Sequence, residues 1–111
     1  MAQSLTELKN ALGLEALSEI ADREWSGVYA GDLLSWVMSH AEAGNVWVTI
    51  MSNTNVIAVA SLVDVACVIL SEGVTLDEKD KTLAVEKGIA VFTTPMSTYE
   101  VCDKISHLPL S

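Results

Sequence analysis

The chain has 111 residues, 50% of them hydrophobic, with 15 acids against 6 bases for a formal net charge of −9 and a mean hydropathy of +0.38. That length makes a single domain, residues 1–111, which can bury roughly 60–70% of its unfolded surface without metal or disulfide staples. The charge excludes a nucleic-acid footprint, which needs clustered bases, and Arg23 is the only arginine. A membrane span is excluded too, because the longest apolar stretch, Val56 to Leu70, carries Asp64 and is shorter than the ~20 residues a bilayer requires.

Ser4 with Glu7 forms a capping box ahead of Leu5, Leu8 and Leu12, and Gly13 is a stop, so a first helix runs from Leu5 to Leu12. The start, MAQSLTELKN, has no basic segment and no apolar core of a leader, which leads to the expectation of a cytoplasmic location. Leu14 to Leu17 is a short strand, Ser18 to Glu24 a polar connection, and Trp25 to Ala30 the next strand. Gly31 frees the backbone for a turn and Asp32 caps a helix carrying Leu33, Leu34, Val37, Met38 and Ala41 at helical spacing, ended by Gly44.

The centre of the chain is VWVTIMSNTNVIAVASLVDVACVILSEG, from Val46 to Gly73. It reads as strand (Val46 to Ile50), polar loop (Ser52 to Asn55), apolar helix (Val56 to Ala66) and strand (Cys67 to Leu70). Apolar strands joined by an apolar helix are a βαβ crossover covered on both faces. Thr75 and Glu78 form a further capping box for a helix with Leu76, Leu83 and Ala84 inward, Gly88 at its end, and a solvated face of Asp77, Lys79, Asp80, Lys81, Glu86 and Lys87. Ile89 to Thr93 is the last strand, Pro95 marks a loop, and Ser97 with Glu100 caps a helix from Thr98 to His107 that buries Val101, Cys102, Ile105 and Leu108. The alternation predicts an α/β fold: a three-layer αβα sandwich with a mostly parallel sheet of about five short strands.

In such a sheet the loops at the carboxyl ends of the strands gather on one rim: Gly31 and Asp32; Ser52, Asn53, Thr54 and Asn55; Gly73; Thr94 and Ser97. Helix N-termini there favour a phosphate or carboxylate, so these residues are candidate ligands of a small anion or nucleotide. Asp32, Asn55, Thr75 and Ser97 have a second reading as plain helix caps. Arg23, beside Asp22, can grip an anion or a partner subunit through its planar fork, or form an exposed ion pair of little consequence. Trp36, Trp47 and Met51 lie beside strand ends and are candidate interface residues of a homodimer.

Catalytic signals are thin. His40 and His107 fall at helix ends, where the dipole accounts for an imidazole. No phosphate-binding loop, dinucleotide fingerprint or metal-ligand spacing occurs, and no independent catalysis is expected. The two cysteines, Cys67 and Cys102, read as buried thiols and are too few for an iron–sulfur cluster or a Cys-type zinc site, so no cofactor is expected.

Asp22-Arg23, the run from Ser26 to Ser35, Ile57 to Leu62, Gly73, and Thr94 to Tyr99 together resemble the DRTGG domain. Of the name-giving pentapeptide, Asp22, Arg23 and Gly27 are matched, with Glu24-Trp25-Ser26 between them. The resemblance implies a fold like the N-terminal domain of HPr kinase/phosphorylase, which lacks the kinase active site. It also implies a regulatory role like that of the DRTGG inserts of phosphate acetyltransferases and CBS-domain pyrophosphatases. Stand-alone relatives imply a protein partner in an anaerobic hydrogenase or sensor-kinase system. The combined expectation is a non-catalytic, homodimeric module that binds a small anionic metabolite or nucleotide; the alternative is an assembly protein with no ligand.

Overall fold

The computed structural model describes residues 3–19 and 21–108. Its elements are α1 (Leu5–Leu12), β1 (Glu15–Ser18), β2 (Val28–Ala30), α2 (Leu34–His40), β3 (Val46–Thr49), α3 (Thr54–Val63), β4 (Cys67–Leu70), α4 (Glu78–Lys87), β5 (Ala90–Thr93) and α5 (Thr98–Ser106). The five strands form one sheet in the order β1-β5-β4-β3-β2. β2 to β5 are parallel neighbours, while β1 runs antiparallel to β5 with a register shift between Ala16 and Ser18. The sheet is therefore mixed.

Side chains alternate across this sheet and divide the core in two. Val46, Val48, Cys67, Ile69, Ala90 and Phe92 pack beneath α1 and α5. Trp47, Val68, Leu70 and Val91 pack on the other face, against α2, α3 and α4. The three layers follow, and β3 and β4 are buried along their whole length because helices cover both faces.

Both expected capping boxes at the chain's ends form: Ser4 with Glu7 at α1, and Ser97 with Glu100 at α5. Elsewhere the caps differ from expectation. α3 is capped by Asn53, not Asn55, and it ends at Val63, where Asp64 adopts a left-handed conformation (φ 65°) and turns the chain into β4. α4 begins at Glu78 under Asp77, whose carboxylate accepts from the Asp80 N–H; Thr75 stays outside the helix. A carboxylate caps at least as well as a hydroxyl, and Asp77 is the residue directly adjoining the helix. Asp80, expected on the solvated face, is buried and accepts a 2.8 Å hydrogen bond from the Thr54 hydroxyl, so that α3 and α4 are fastened together.

β2 is shorter than the expected strand from Trp25 because the Trp25 side chain turns into the core beside α1 while its backbone N–H donates to the Gln3 carbonyl. Cys67 is fully buried, whereas Cys102 is only partly so. Burial pushes both thiols up, Cys67 far the more, with the nearby Arg23 charge opposing weakly at Cys67.

Candidate functional site

The carboxyl ends of β2 to β5 bring Gly31, Asp32, residues 52–55, Gly73, Thr94 and Ser97 to one rim, and internal hydrogen bonds already occupy much of it. Asp32 does not cap α2, whose N-cap is Leu33 with no side-chain bond. Its carboxylate instead accepts from the Thr49 hydroxyl at 2.7 Å and the Ile50 N–H at 2.9 Å, tying the β2–α2 turn to the end of β3. Gly31 donates its N–H to Val48 O and accepts from the Trp47 indole, and the Asn53 side chain accepts from the Asn55 N–H. The Thr54 hydroxyl is spent on Asp80, the Gly73 N–H on Thr94 O, and the Thr94 hydroxyl accepts from the Met96 N–H. Ser71 and Thr98 share a 2.7 Å hydroxyl contact below the surface. Ser52 and Asn55 remain turned towards solvent, half-exposed and exposed.

Arg23 does not reach this rim. Its guanidinium lies 3.2 Å from the Asp64 carboxylate and 3.4 Å from Val65 O, at the amino end of β4 and therefore at the opposite end of the sheet. Without it, the loops 31–32, 49–55, 71–73 and 93–97 contain two acids, Asp32 and Glu72, and no base.

The residues of the name-giving motif act together at that amino end. The Asp22 carboxylate accepts from the N–H groups of Thr6 and Arg23, and Arg23 O accepts from the Leu5 N–H. Asp22 thus serves the first turn of α1 in the manner of an N-cap, from a position 16 residues further along the chain. The Thr6 hydroxyl first, then the backbone N–H groups and the Ser4 hydroxyl, hold its carboxyl below the usual range. Gly27 sits at φ +76°, and a Cβ there would lie 2.9 Å from the Asn45 amide nitrogen, which donates to Ser26 O. Asp22, Arg23 and Gly27 together clamp the 22–27 segment between α1 and the α3–β4 turn.

Two of the three interface candidates are also moved. Trp47 is fully buried beneath α2 and α3, because β3 is an inner strand with helices over both faces. Met51 is half-buried against the same cluster. Trp36 is 55% exposed and stacks on His40 with ring centroids 4.5 Å apart. On or beside α2 and α3 the sequence reading missed Leu33, Met38 and Leu62, all exposed. The signal was available in the sequence: between Trp25 and Val63 the only charged side chains are Asp32 and Glu42. A cavity of about 300 Å³, lined by Leu5, Thr6, Lys9, Ser18, Asp22 and Phe92 among others, lies on the α1 side of β1 and β5, away from the rim. Among the described residues no three of His, Cys, Asp and Glu gather as a metal site.

A family model for the DRTGG domain matches residues 9–108. The chain belongs to the DRTGG domain family. Among solved structures it is similar to the CBS and DRTGG domains of the regulatory region of Clostridium perfringens pyrophosphatase, complexed with its activator, diadenosine tetraphosphate. The TM-score is 0.74 at 19% identity, over 91% of this chain and 45% of that one. The likeness establishes the fold, and this DRTGG chain spans less than half the length of that neighbour. No curated protein matches it in sequence.

Proposed function

We propose that this DRTGG chain is a non-catalytic regulatory module that works as a homodimer and acts on a partner protein by direct contact. The observation that carries the reading is the free surface of α2 and α3. Leu33 (60%), Trp36 (55%), Met38 (49%) and Leu62 (72%) stand exposed in a segment almost without charge, in a chain of net charge −9. Of the eight large apolar side chains exposed among the described residues these four lie on or beside α2 and α3, two helices packed together, and such grouping favours an interaction surface. The neighbour's description as a regulatory region supports the same reading. A photo-crosslinking amino acid at Leu62 should capture a defined partner in cells of the source organism, and the same group at Lys87, on the charged face of α4, should not. Equal capture at both positions would refute the surface.

Nucleotide sensing is a second reading, favoured by the diadenosine tetraphosphate bound in the neighbour. Opposing it, the rim holds two acids and no base, and most of its side chains are engaged internally, which favours an assembly protein without a ligand. Native mass spectrometry with ATP and with diadenosine tetraphosphate separates the two. A saturable adduct establishes sensing, and a clean dimer establishes contact alone.

A further inference from the structure

The sheet has two edges, and they are built differently. The β1 edge carries Glu15 and a register shift between Ala16 and Ser18, features that discourage a further strand. The β2 edge carries Val28, Tyr29 and Ala30 between two glycines, with no charge, proline or bulge. Gly27 O and the Gly31 N–H point at β3, accepting from Val46 and donating to Val48. In a parallel ladder alternate residues face the same partner, so the N–H and C=O groups of Val28 and Ala30 point outward along the open edge. Val28 is 38% exposed and Ala30 is exposed, although α5 packs near β2, so their side chains stand at the outer margin of that face.

We propose that the β2 edge pairs antiparallel with the β2 edge of a second copy, joining two five-stranded sheets into one. This rests on the homodimeric reading above and specifies its interface. The occupant is argued from charge and symmetry. A copy of a chain with net charge −9 repels itself over most of its surface, yet the stretch from Trp25 to Val63 brings only Asp32 and Glu42, and the Asp32 carboxylate is turned onto Thr49 and Ile50. An antiparallel pair of identical strands is self-complementary and closes with two-fold symmetry. Centred on Tyr29, it lets Val28 exchange both backbone hydrogen bonds with Ala30 of the second copy and Ala30 with Val28. The two Tyr29 side chains then meet across the axis as a non-hydrogen-bonded pair, the closer kind.

The test is analytical ultracentrifugation of the full chain, wild type and variants, with hydrogen exchange of the wild type. Ala30→Pro removes one outward N–H and leaves the groups that bond β3 untouched, and Val28→Lys places a charge on the edge. The wild type is expected to sediment as a dimer, and both variants as monomers at least tenfold higher in concentration, with the melting curve of β3 and β4 retained. The Val28 and Ala30 amides of the wild type should exchange slowly at high protein concentration and fast on dilution, a readout that needs no variant to fold. Fast exchange of these amides in a protein that still sediments as a dimer, with dissociation on Trp36→Ala instead, overturns the edge while leaving the homodimer in place. A wild-type monomer at all concentrations overturns both.

Discussion

Ser18 offers a sharp test of how β1 is held to the sheet. It is buried at the register shift between β1 and β5, where its hydroxyl donates to Ile89 O at 2.7 Å and accepts from the Val91 N–H at 2.8 Å. One side chain thus satisfies two backbone groups that the bulge leaves without strand partners. Ser18→Ala orphans both. Each unsatisfied buried group costs about 1–3 kcal/mol, so the loss should be about 2–4 kcal/mol after some relaxation of the bulge. In a domain of this size that corresponds to a Tm lowered by about 8–16 °C. The internal control is Ser106→Ala, which removes an equally short 2.7 Å bond to Asp103 O, but an exposed one that water replaces, and should stay within about 0.5 kcal/mol. Calorimetry and urea unfolding of the two variants side by side provide the assay. Equal effects would refute the assignment of Ser18 as the fastening of the β1 bulge.

Three further outcomes follow from the motif residues. The Asp22 carboxyl has a lowered folded-state pKa, so its contribution is fully present above the ordinary carboxylate value, about 3.9, and is lost as pH falls through the lowered one. The stability gap between wild type and Asp22→Asn, read from urea midpoints, should therefore be larger at pH 7 than at pH 2.5, and a constant gap would contradict the cause given. Gly27→Ala should destabilise more than Gly88→Ala, since both sit at positive φ but only the first drives a Cβ into Asn45; circular-dichroism melts rank them. Arg23→Gln should cost only about 0.2–1 kcal/mol, because its ion pair with Asp64 is 37% and 69% exposed, and any nucleotide adduct seen by native mass spectrometry should be unchanged. Loss of such an adduct would bring Arg23 back into a binding site.

What the chain reveals by inspection depends on whether the deciding interaction is local. Ser4 with Glu7 and Ser97 with Glu100 lie three residues apart, and both boxes form as the spacing predicts. β3, β4 and β5 carry their own apolar signature, so the parallel core and its three layers were legible. β1's direction was not, since it is set by pairing with β5 some seventy residues later, through Ser18 and Ile89. The same limit explains Arg23, whose partner is 41 residues away, and Asp32, which reaches 17 residues ahead to Thr49 instead of capping the next turn. Trp47 looked like an interface residue because it stands beside a polar loop, although its apolar strand already carried a sign of burial. With β2 and β4 on either side and helices over both faces, β3 buries it.

The connections of the sheet also bear on how far the rim can open as a ligand crevice. The crossovers β2-α2-β3, β3-α3-β4 and β4-α4-β5 all put their helix on the same face, as the core beneath α2, α3 and α4 records. Ligand crevices in open α/β sheets arise where successive crossovers pass to opposite faces and their loops part. Here the parallel ladders run on past the strand ends, Ser71 N–H to Thr49 O and Thr94 N–H to Leu70 O, and the loops after β4 and β5 bond to each other, Glu72 N–H to Met96 O and Gly73 N–H to Thr94 O, so these two loops do not part. The first connection to change face is the one into α5, and there Ser71 meets Thr98, hydroxyl to hydroxyl. This agrees with the proposal that recognition in this DRTGG chain falls to its flanks. The uncovered edge of β2 and the charge-poor outer sides of α2 and α3 are the surfaces that the fold leaves unfinished.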